Sequence, residues 1–376
     1  MTTYKDFFEQ VTDPRGKQGK QHQLTEIIIL TIYALIIGAN SWYEIEFFCS
    51  ERIDSLRKFL PLKNGIPSHD TFQRVFSKLD PKQLNNSVTK WMLALLGSFK
   101  NKHISLDGKT VRKSFDKAKN KFALHILNVF VVDSLTVIRQ VVGDKKDSEI
   151  TMIETIFDGI DITDSTVTID AIGCQEKIIK YIRKKKANYL IALKANQPNL
   201  HNEVIDYFKF AQKKSLKKGT FDIYQTIDKG HGRIENRSYF FLDTKHYPLQ
   251  NAGKFTDLKT IIRVHRVREV QGEQSSEYSY YISSLECNAE NIGKTIRGHW
   301  AIENSLHHIL DIIYKEDDNR TRKDHAPANF SLMRKVSMNL INMHKEEKTG
   351  QKRSRIRGLF NPSYAEKLFI GTEIIE

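Results

Sequence analysis

Between residues 103 and 194 apolar, strand-like stretches alternate with amphipathic helical patterns, and this alternation constrains the fold more than any other feature of the chain. HISLD, FALHILNVFVVD and LTVIRQVVG are followed by the helix EITMIETIFDGI, the strand STVTID, the helix QEKIIKYIRKKK and the strand NYLIALK. That order predicts a layered α/β fold, and the near-continuous apolar strands predict a sheet covered on both faces. Before residue 100 the patterns are helical. Leu24 to Ala39 reads as one helix, and Ser41 to Leu60 as another that ends at Pro61. Ser68 caps a third helix carrying Phe72, Val75, Phe76 and Leu79, and Asp80-Pro81 with Gln83 forms a capping-box start for a fourth. After residue 220 the chain reads as strands again, with turn signals at DKGHG and VQGEQ. Two helices follow, Ala289 to Tyr314 and Ala328 to Lys345. The expected division is a small all-helical region over 1–98, an α/β domain over 99–345 with a β-rich insertion at about 221–284, and a basic tail over 346–376 containing KRSRIR.

Charge narrows the partner. The 376-residue chain carries a formal net charge of +14. That charge favours a polyanion as partner, because neutralising phosphates releases counterions from nucleic acid, although ribosomal, membrane-surface and merely soluble basic proteins share it. The three cysteines, Cys49, Cys174 and Cys287, are far apart and form no CxxC pair, which fits a reducing cytosol. The start, MTTYKDFFE, lacks the basic leader and apolar stretch of a signal peptide. Ile27 to Ala39 is the strongest apolar run and falls short of the roughly 20 residues that cross a bilayer, so a buried core helix is expected and no membrane partner.

Two strands deliver an aspartate in the same way. In HISLD, Ile104 and Leu106 alternate with Ser105 and Asp107; in VTID, Val167 and Ile169 alternate with Thr168 and Asp170. Each aspartate falls at a strand end on the polar register, where ligands bind in α/β proteins but where turn formers and helix caps are common too. Lys109 and Arg112, just after Asp107, point to an anionic ligand. A third carboxylate comes from IRGHWAIENSLHHILDIIY. Its apolar stripe, Ile302, Leu306, Ile309 and Ile313, leaves Glu303 at the border of the buried face in a partly dry position. A solvated glutamate paired with a neighbour satisfies the same spacing, and the row Glu303, His307, Asp311 is also compatible with a transition-metal site. Glu316 to Asp318 fall at the helix end, where a carboxylate is flexible. Three oxygen ligands in a basic protein suit Mg²⁺ or Mn²⁺, and two such ions can drive phosphodiester chemistry.

The strings DPRGKQGKQHQLTEIIIL, GIPSHDTFQRVF, SLDGKTVR, VTIDAIGCQ, YLIALKANQ, HGRIENR, YYISSL and IRGHWAIENSLHHILDIIYKEDDNRTR resemble insertion-sequence transposases of the ISAs group, which include the H-repeat-associated proteins. The resemblance runs in order from about Asp13 to Lys345. It implies an RNase H-like mixed-sheet catalytic core with a DDE triad, a β insertion before the glutamate, and an N-terminal associated region. Carried across, the triad is Asp107 in LDGKT, Asp170 in TIDAIGC and Glu303 in HWAIEN, with Mg²⁺ or Mn²⁺, in all two ions, as cofactor. A related group of transposases carries Tyr, Arg, Glu and Lys around the glutamate; here those places hold Ile296, His299, Glu303 and Leu310, so the roles of that Tyr, Arg and Lys do not transfer.

The implied activity is hydrolysis at transposon ends followed by transfer of the 3′-hydroxyl into target DNA, by a homo-oligomer on DNA in the bacterial cytoplasm, associated with the nucleoid. A transposase-derived DNA-binding protein and a host nuclease are the competing readings. Further DNA contacts are expected from Lys194 after the strand NYLIAL, with Asn196 and Gln197, from His231, Arg233 and Arg237 alternating in HGRIENR, and from Arg297 beside the glutamate. For Lys194 a solvated turn, and for His231, Arg233 and Arg237 cross-strand pairing with Glu235 or another acid, are equally compatible with the sequence.

Overall fold

The computed structural model describes residues 4–16, 20–115, 122–143, 149–213, 220–230, 232–344 and 349–370. Its strands are β1 (His103–Val111), β2 (Leu124–Val131), β3 (Thr136–Gly143), β4 (Thr166–Ile169), β5 (Asn188–Leu193), β6 (Phe221–Gly230), β7 (Arg233–Asp243), β8 (Thr260–Val270) and β9 (Glu273–Ser283). Helices precede, separate and follow them, so the class is mixed α/β. The chain forms two compact units, one of residues 99–107 and 149–300, the other of residues 1–98, 108–148 and 301–376.

The first unit is a large mixed sheet with helices. β1, β4 and β5 run parallel in adjacent positions, and β5 pairs antiparallel with β9. From β9 the sheet continues antiparallel through β8 and β7 to β6. The strands expected as an insertion therefore extend this sheet. Most residues of β4 and β5 are buried whichever way they point, as the continuous apolar runs require. The helix Ala289–His299 lays Ala289, Ile292 and Ile296 against Leu190, Tyr239, Phe241, Ile262 and Val264. Gly293 is obligatory in that contact, because a Cβ there would lie 2.6 Å from the Tyr224 ring.

The second unit contains the hairpin β2–β3 and a helical core. Leu24–Ile36 is a helix buried along almost its whole surface, as its composition requires. Among the described residues no helix is long and apolar enough to cross a membrane. Ser68 caps His69–Lys78 through Thr71 N–H, and Phe72, Val75, Phe76 and Leu79 are all buried. Asp80 caps Pro81–Leu96 through Lys82 N–H, but the box does not close: the Gln83 side chain accepts from Thr12 N–H at 3.0 Å instead. The helices before residue 98 share this core with Ala326–His344, and the change of texture near residue 100 falls where the chain passes from one compact unit to the other, between Ser98 and Phe99.

The stretch expected as a basic tail contains the helices Gln351–Phe360 and Pro362–Ile370, and Arg355 within KRSRIR is buried. Its guanidinium donates to Leu35 O at 2.9 Å, Ala39 O at 2.8 Å and Asn40 Oδ1 at 3.1 Å, and to Ile313 O, with its plane 4.3 Å over the Tyr314 ring. A helix leaves its last carbonyls unpaired, and a buried helix cannot give them to water. Arg355 supplies donors there, a role that counting charge does not reveal. Arg355→Ala is expected to cost about 2–4 kcal/mol, since several carbonyls lose donors where water is excluded. Chemical denaturation at neutral pH checks it.

Candidate active site

The two aspartates are placed by one ladder. β1 and β4 are paired in parallel with His103 opposite Thr166, Ile104 opposite Val167 and Ser105 opposite Thr168. Asp107 and Asp170 each come two residues after the last of these rungs, so the same side-chain alternation presents both. Asp107 is half-buried and Asp170 exposed. β1 continues to Val111, so Asp107 lies within its strand and not at the strand end; what stops before it is the ladder with β4. Asp170 follows β4 directly and caps the 3-10 turn Ala171–Gly173, its Oδ1 accepting Ile172 N–H at 3.1 Å.

That turn is held from β5. The Asn196 amide donates to Ala171 O at 2.7 Å and the Gln197 amide to Cys174 O at 2.8 Å. A contact with DNA and a plain turn were both open for this stretch; in the fold the two amides brace the Asp170 turn. Gly173 completes it, because a Cβ there would meet the Ile169 side chain at 2.5 Å. Two carboxylates at a shared level beside the end of a parallel ladder are hard oxygen donors near the surface, and that donor set suits Mg²⁺ or Mn²⁺.

Beneath the aspartates the polar register is not solvent-facing. Ser105 and Thr168 are buried. His299, the last residue of its helix, has Nδ1 2.9 Å from Ser105 Oγ and 3.0 Å from Thr168 Oγ1. Burial holds its pKa down to about 4, so the imidazole is neutral at physiological pH. His103 Nε2 lies 2.8 Å from Thr168 Oγ1 on the other side. The sequence signal for this cluster was the same Ser/Asp and Thr/Asp alternation that located the aspartates, read only as far as the carboxylates.

Glu303 belongs to the second unit. It opens a π-helical turn, Glu303–His307, in what the sequence read as one continuous α-helix. A π turn takes one residue more than an α turn, so the buried face moves on by one. Ile302 and Leu306 are buried as expected, but Leu310 and Tyr314 replace Ile309 and Ile313. The Glu303 side chain is 59% exposed, not partly dry, and its Oε2 lies 3.1 Å from Nδ1 of His307. His307 is buried, and burial lowers its pKa although the Glu303 carboxylate pulls the other way. Asp311 does not continue a metal-ligand row; it takes the Lys109 ammonium.

Lys109 is therefore corrected as a DNA-facing residue. Its side chain is 9% exposed, donating to Asp311 and, at 2.9 Å, to Glu316. Glu316 is also not the flexible helix-end carboxylate expected: it is 1% exposed and accepts from Ser331 Oγ at 2.7 Å. Burial would raise its pKa, but Lys109, Lys335 and Arg334 hold it at about 2. Lys335, buried beside it and donating to Gln140 Oε1 at 2.6 Å, is lowered by burial to about 7.

The other basic candidates divide. Arg112 is largely exposed, with Asp317 3.3 Å from its Nε. Lys194 and Arg233 are exposed. Arg237 is 7% exposed and pairs with Glu235, two residues earlier on the same strand, at 2.6 Å and, across to β6, with Asp228. Arg297 is half-exposed, 3.9 Å from Asp228. His231 lies outside the described residues.

An acidic donor pair on a mixed α/β sheet in a strongly basic chain suits phosphoryl-transfer chemistry, and the comparisons give the class: the chain belongs to the DDE transposases. Residues 98–340 match the family described as Transposase DDE domain, and residues 5–92 match the DDE_Tnp_1-associated family. Among individual proteins it is 35% identical over 366 residues to "Putative transposase YncI" of Escherichia coli O157:H7, covering 96% of this chain and 93% of that one. It is 33% identical over 366 residues, 96% of each chain, to "H repeat-associated putative transposase YhhI" of Escherichia coli (strain K12). "Putative protein YbfL" of the same strain is 34% identical over the same length, again 96% of each.

Proposed function

We propose that this chain cuts DNA at the ends of an insertion sequence and joins the freed 3′-hydroxyl to target DNA, with Asp107, Asp170 and Glu303 as its catalytic acids. The observation that carries the reading is the common rung: Ser105 and Thr168 are opposite each other, and an aspartate follows each by two residues. Membership of the DDE transposases supports it, and so does the run of parallel strands β1, β4 and β5, which suits an RNase H-like core. The three carboxylates would hold Mg²⁺ or Mn²⁺, two ions in all, and such ions supply Lewis-acid stabilisation for an in-line displacement at phosphorus. The chain's own part is to fix the aspartates on adjacent strands, to brace the Asp170 turn through Asn196 and Gln197, and to gather the phosphate backbone with exposed Arg112, Lys194, Arg233 and Arg297. His231 belongs to the same proposal. Two ends must be held together for joining, so a homo-oligomer on DNA is the working assembly.

The test is purified protein with Mg²⁺ or Mn²⁺, a duplex carrying the flanking inverted repeats, and a target plasmid. Joined product supports the reading. Cleavage without joining gives a nuclease, and binding without cleavage a transposase-derived DNA-binding protein. End binding in the absence of metal is expected to weaken about a thousand-fold or more between 50 and 200 mM salt, as for proteins making several phosphate contacts. A binding constant flat over that range would overturn the phosphate-gathering role.

A further inference from the structure

We infer that His299 is a positioning residue that sets the spacing of Asp107 and Asp170 by clamping the two strands that bear them. The inference rests on the metal-site reading above and names the part of the fold that makes the site stiff. The β1–β4 ladder is short, and Ser105 opposite Thr168 is its last rung before the aspartates. Beyond that rung no backbone pairing between these strands keeps the two aspartates in step. At that level the Nδ1 of one imidazole sits between the two facing hydroxyls, 2.9 Å from Ser105 Oγ and 3.0 Å from Thr168 Oγ1.

Strand alternation puts residue i and residue i+2 on one face, so the hydroxyls share their face with the carboxylates. A shift of β1 along β4 would separate the hydroxyls and break the bridge. Breaking it is costly because Ser105 is buried and cannot turn to water, whereas Thr168 keeps His103. The imidazole is fixed in turn: it ends the helix whose Ala289, Ile292 and Ile296 pack on the same sheet. His103, 2.8 Å from Thr168 Oγ1, limits that hydroxyl's rotation from the other side. Metal sites respond to outer-sphere groups of this kind by about 10–100-fold in affinity.

The experiment compares full-length wild type with His299→Ala, His299→Asn and His299→Gln. Free Mn²⁺ is titrated by electron paramagnetic resonance without DNA, end-DNA binding is measured in EDTA, and helix content by circular dichroism. His299→Ala is expected to weaken Mn²⁺ binding about 10-fold or more with metal-free DNA binding unchanged. His299→Asn, whose amide nitrogen reaches the place of Nδ1, is expected to recover most of the loss, and His299→Gln, whose amide lies farther out, little of it. A purely space-filling role would not rank Asn above Gln. If the alanine variant does not fold, Ser105→Ala with Thr168→Val removes the same bridge from the strand side and is expected to give the same weakening. Unchanged Mn²⁺ affinity in the folded variants, or Asn no better than Ala, overturns the clamp alone. Wild-type protein that takes up no Mn²⁺ overturns the metal site itself.

Discussion

Asp107→Asn and Asp170→Asn should each lower metal-dependent end cleavage and joining by about a thousand-fold or more, the scale on which removing one preorganised electrostatic group acts. The amide keeps the shape of the carboxylate and loses the charge that attracts a divalent cation. Asp170→Asn is the more informative of the two. Asn caps a turn nearly as well as Asp, so the bond from Ile172 N–H survives and the turn Ala171–Gly173 stays in place. Neither variant should change the salt dependence of end binding in EDTA, because neither aspartate is a phosphate-gathering group. Wild-type cleavage rates in either variant would remove that residue from the site.

The second large effect falls on stability. Glu316→Gln is expected to cost about 3–5 kcal/mol, the usual result of deleting one member of a buried ionic cluster. Arg334 would keep its charge in a dry interior with this carboxylate gone, Lys109 would be left with Asp311 alone, and Lys335 would be pushed further toward its neutral form. Glu303→Gln gives the contrast. Its side chain is exposed, so its loss should leave unfolding unchanged while abolishing cleavage. Thermal or urea unfolding of both variants beside the cleavage assay separates the roles; a Glu316→Gln protein as stable as wild type would refute the cluster's importance. The pH dependence has a definite sign. Glu316 has a lowered pKa in the fold, so its contribution is complete above the ordinary glutamate range and is lost as pH falls through about 2. Lys335 works oppositely: its pKa is lowered to about 7, the fold disfavours its charged form, and its penalty is relieved as pH rises from about 7 toward the ordinary lysine range.

What the sequence made legible follows periodicity. The buried helix Leu24–Ile36, the capped helix His69–Lys78 and the apolar strands β4 and β5 each satisfy a local rule, and local rules are visible in a short window. Failures occur where a residue's role is set by something distant or by a change of period. Lys109 looked like a DNA contact because a basic residue beside an acidic one suggests an anion. Asp311 and Glu316, more than two hundred residues away in sequence, claim its charge. Leu310 and Tyr314 were missed on the buried face because a π turn has no sequence signature that spacing alone exposes. His231, Arg233 and Arg237 shared two readings, and the carboxylates of Asp228 and Glu235 that pair with Arg237 are set by strand pairing and burial, which the alternation in HGRIENR does not show. At the site, the pairing of Asp107 with Asp170 was legible because the alternation is identical in two strands. His299 was not, because a lone histidine at a helix end says nothing until the helix is laid on the sheet.

Arg355 and the helix it closes also bear on how the protein comes off the ribosome. The Arg355 bond to Leu35 O spans 320 residues. At about 5–20 residues per second, the nascent chain waits roughly 15–65 s between making that helix and making its cap. Until then Leu35 O lacks its guanidinium donor and the apolar segment Leu24–Ile36 lacks its final cover, the condition that recruits chaperones. A message truncated shortly before codon 355 would yield a protein with Asp107, Asp170 and Glu303 all present and its N-terminal core unfinished, a target for proteolysis. Closure of the helical core around Leu24–Ile36 thus waits on a segment made some three hundred residues later.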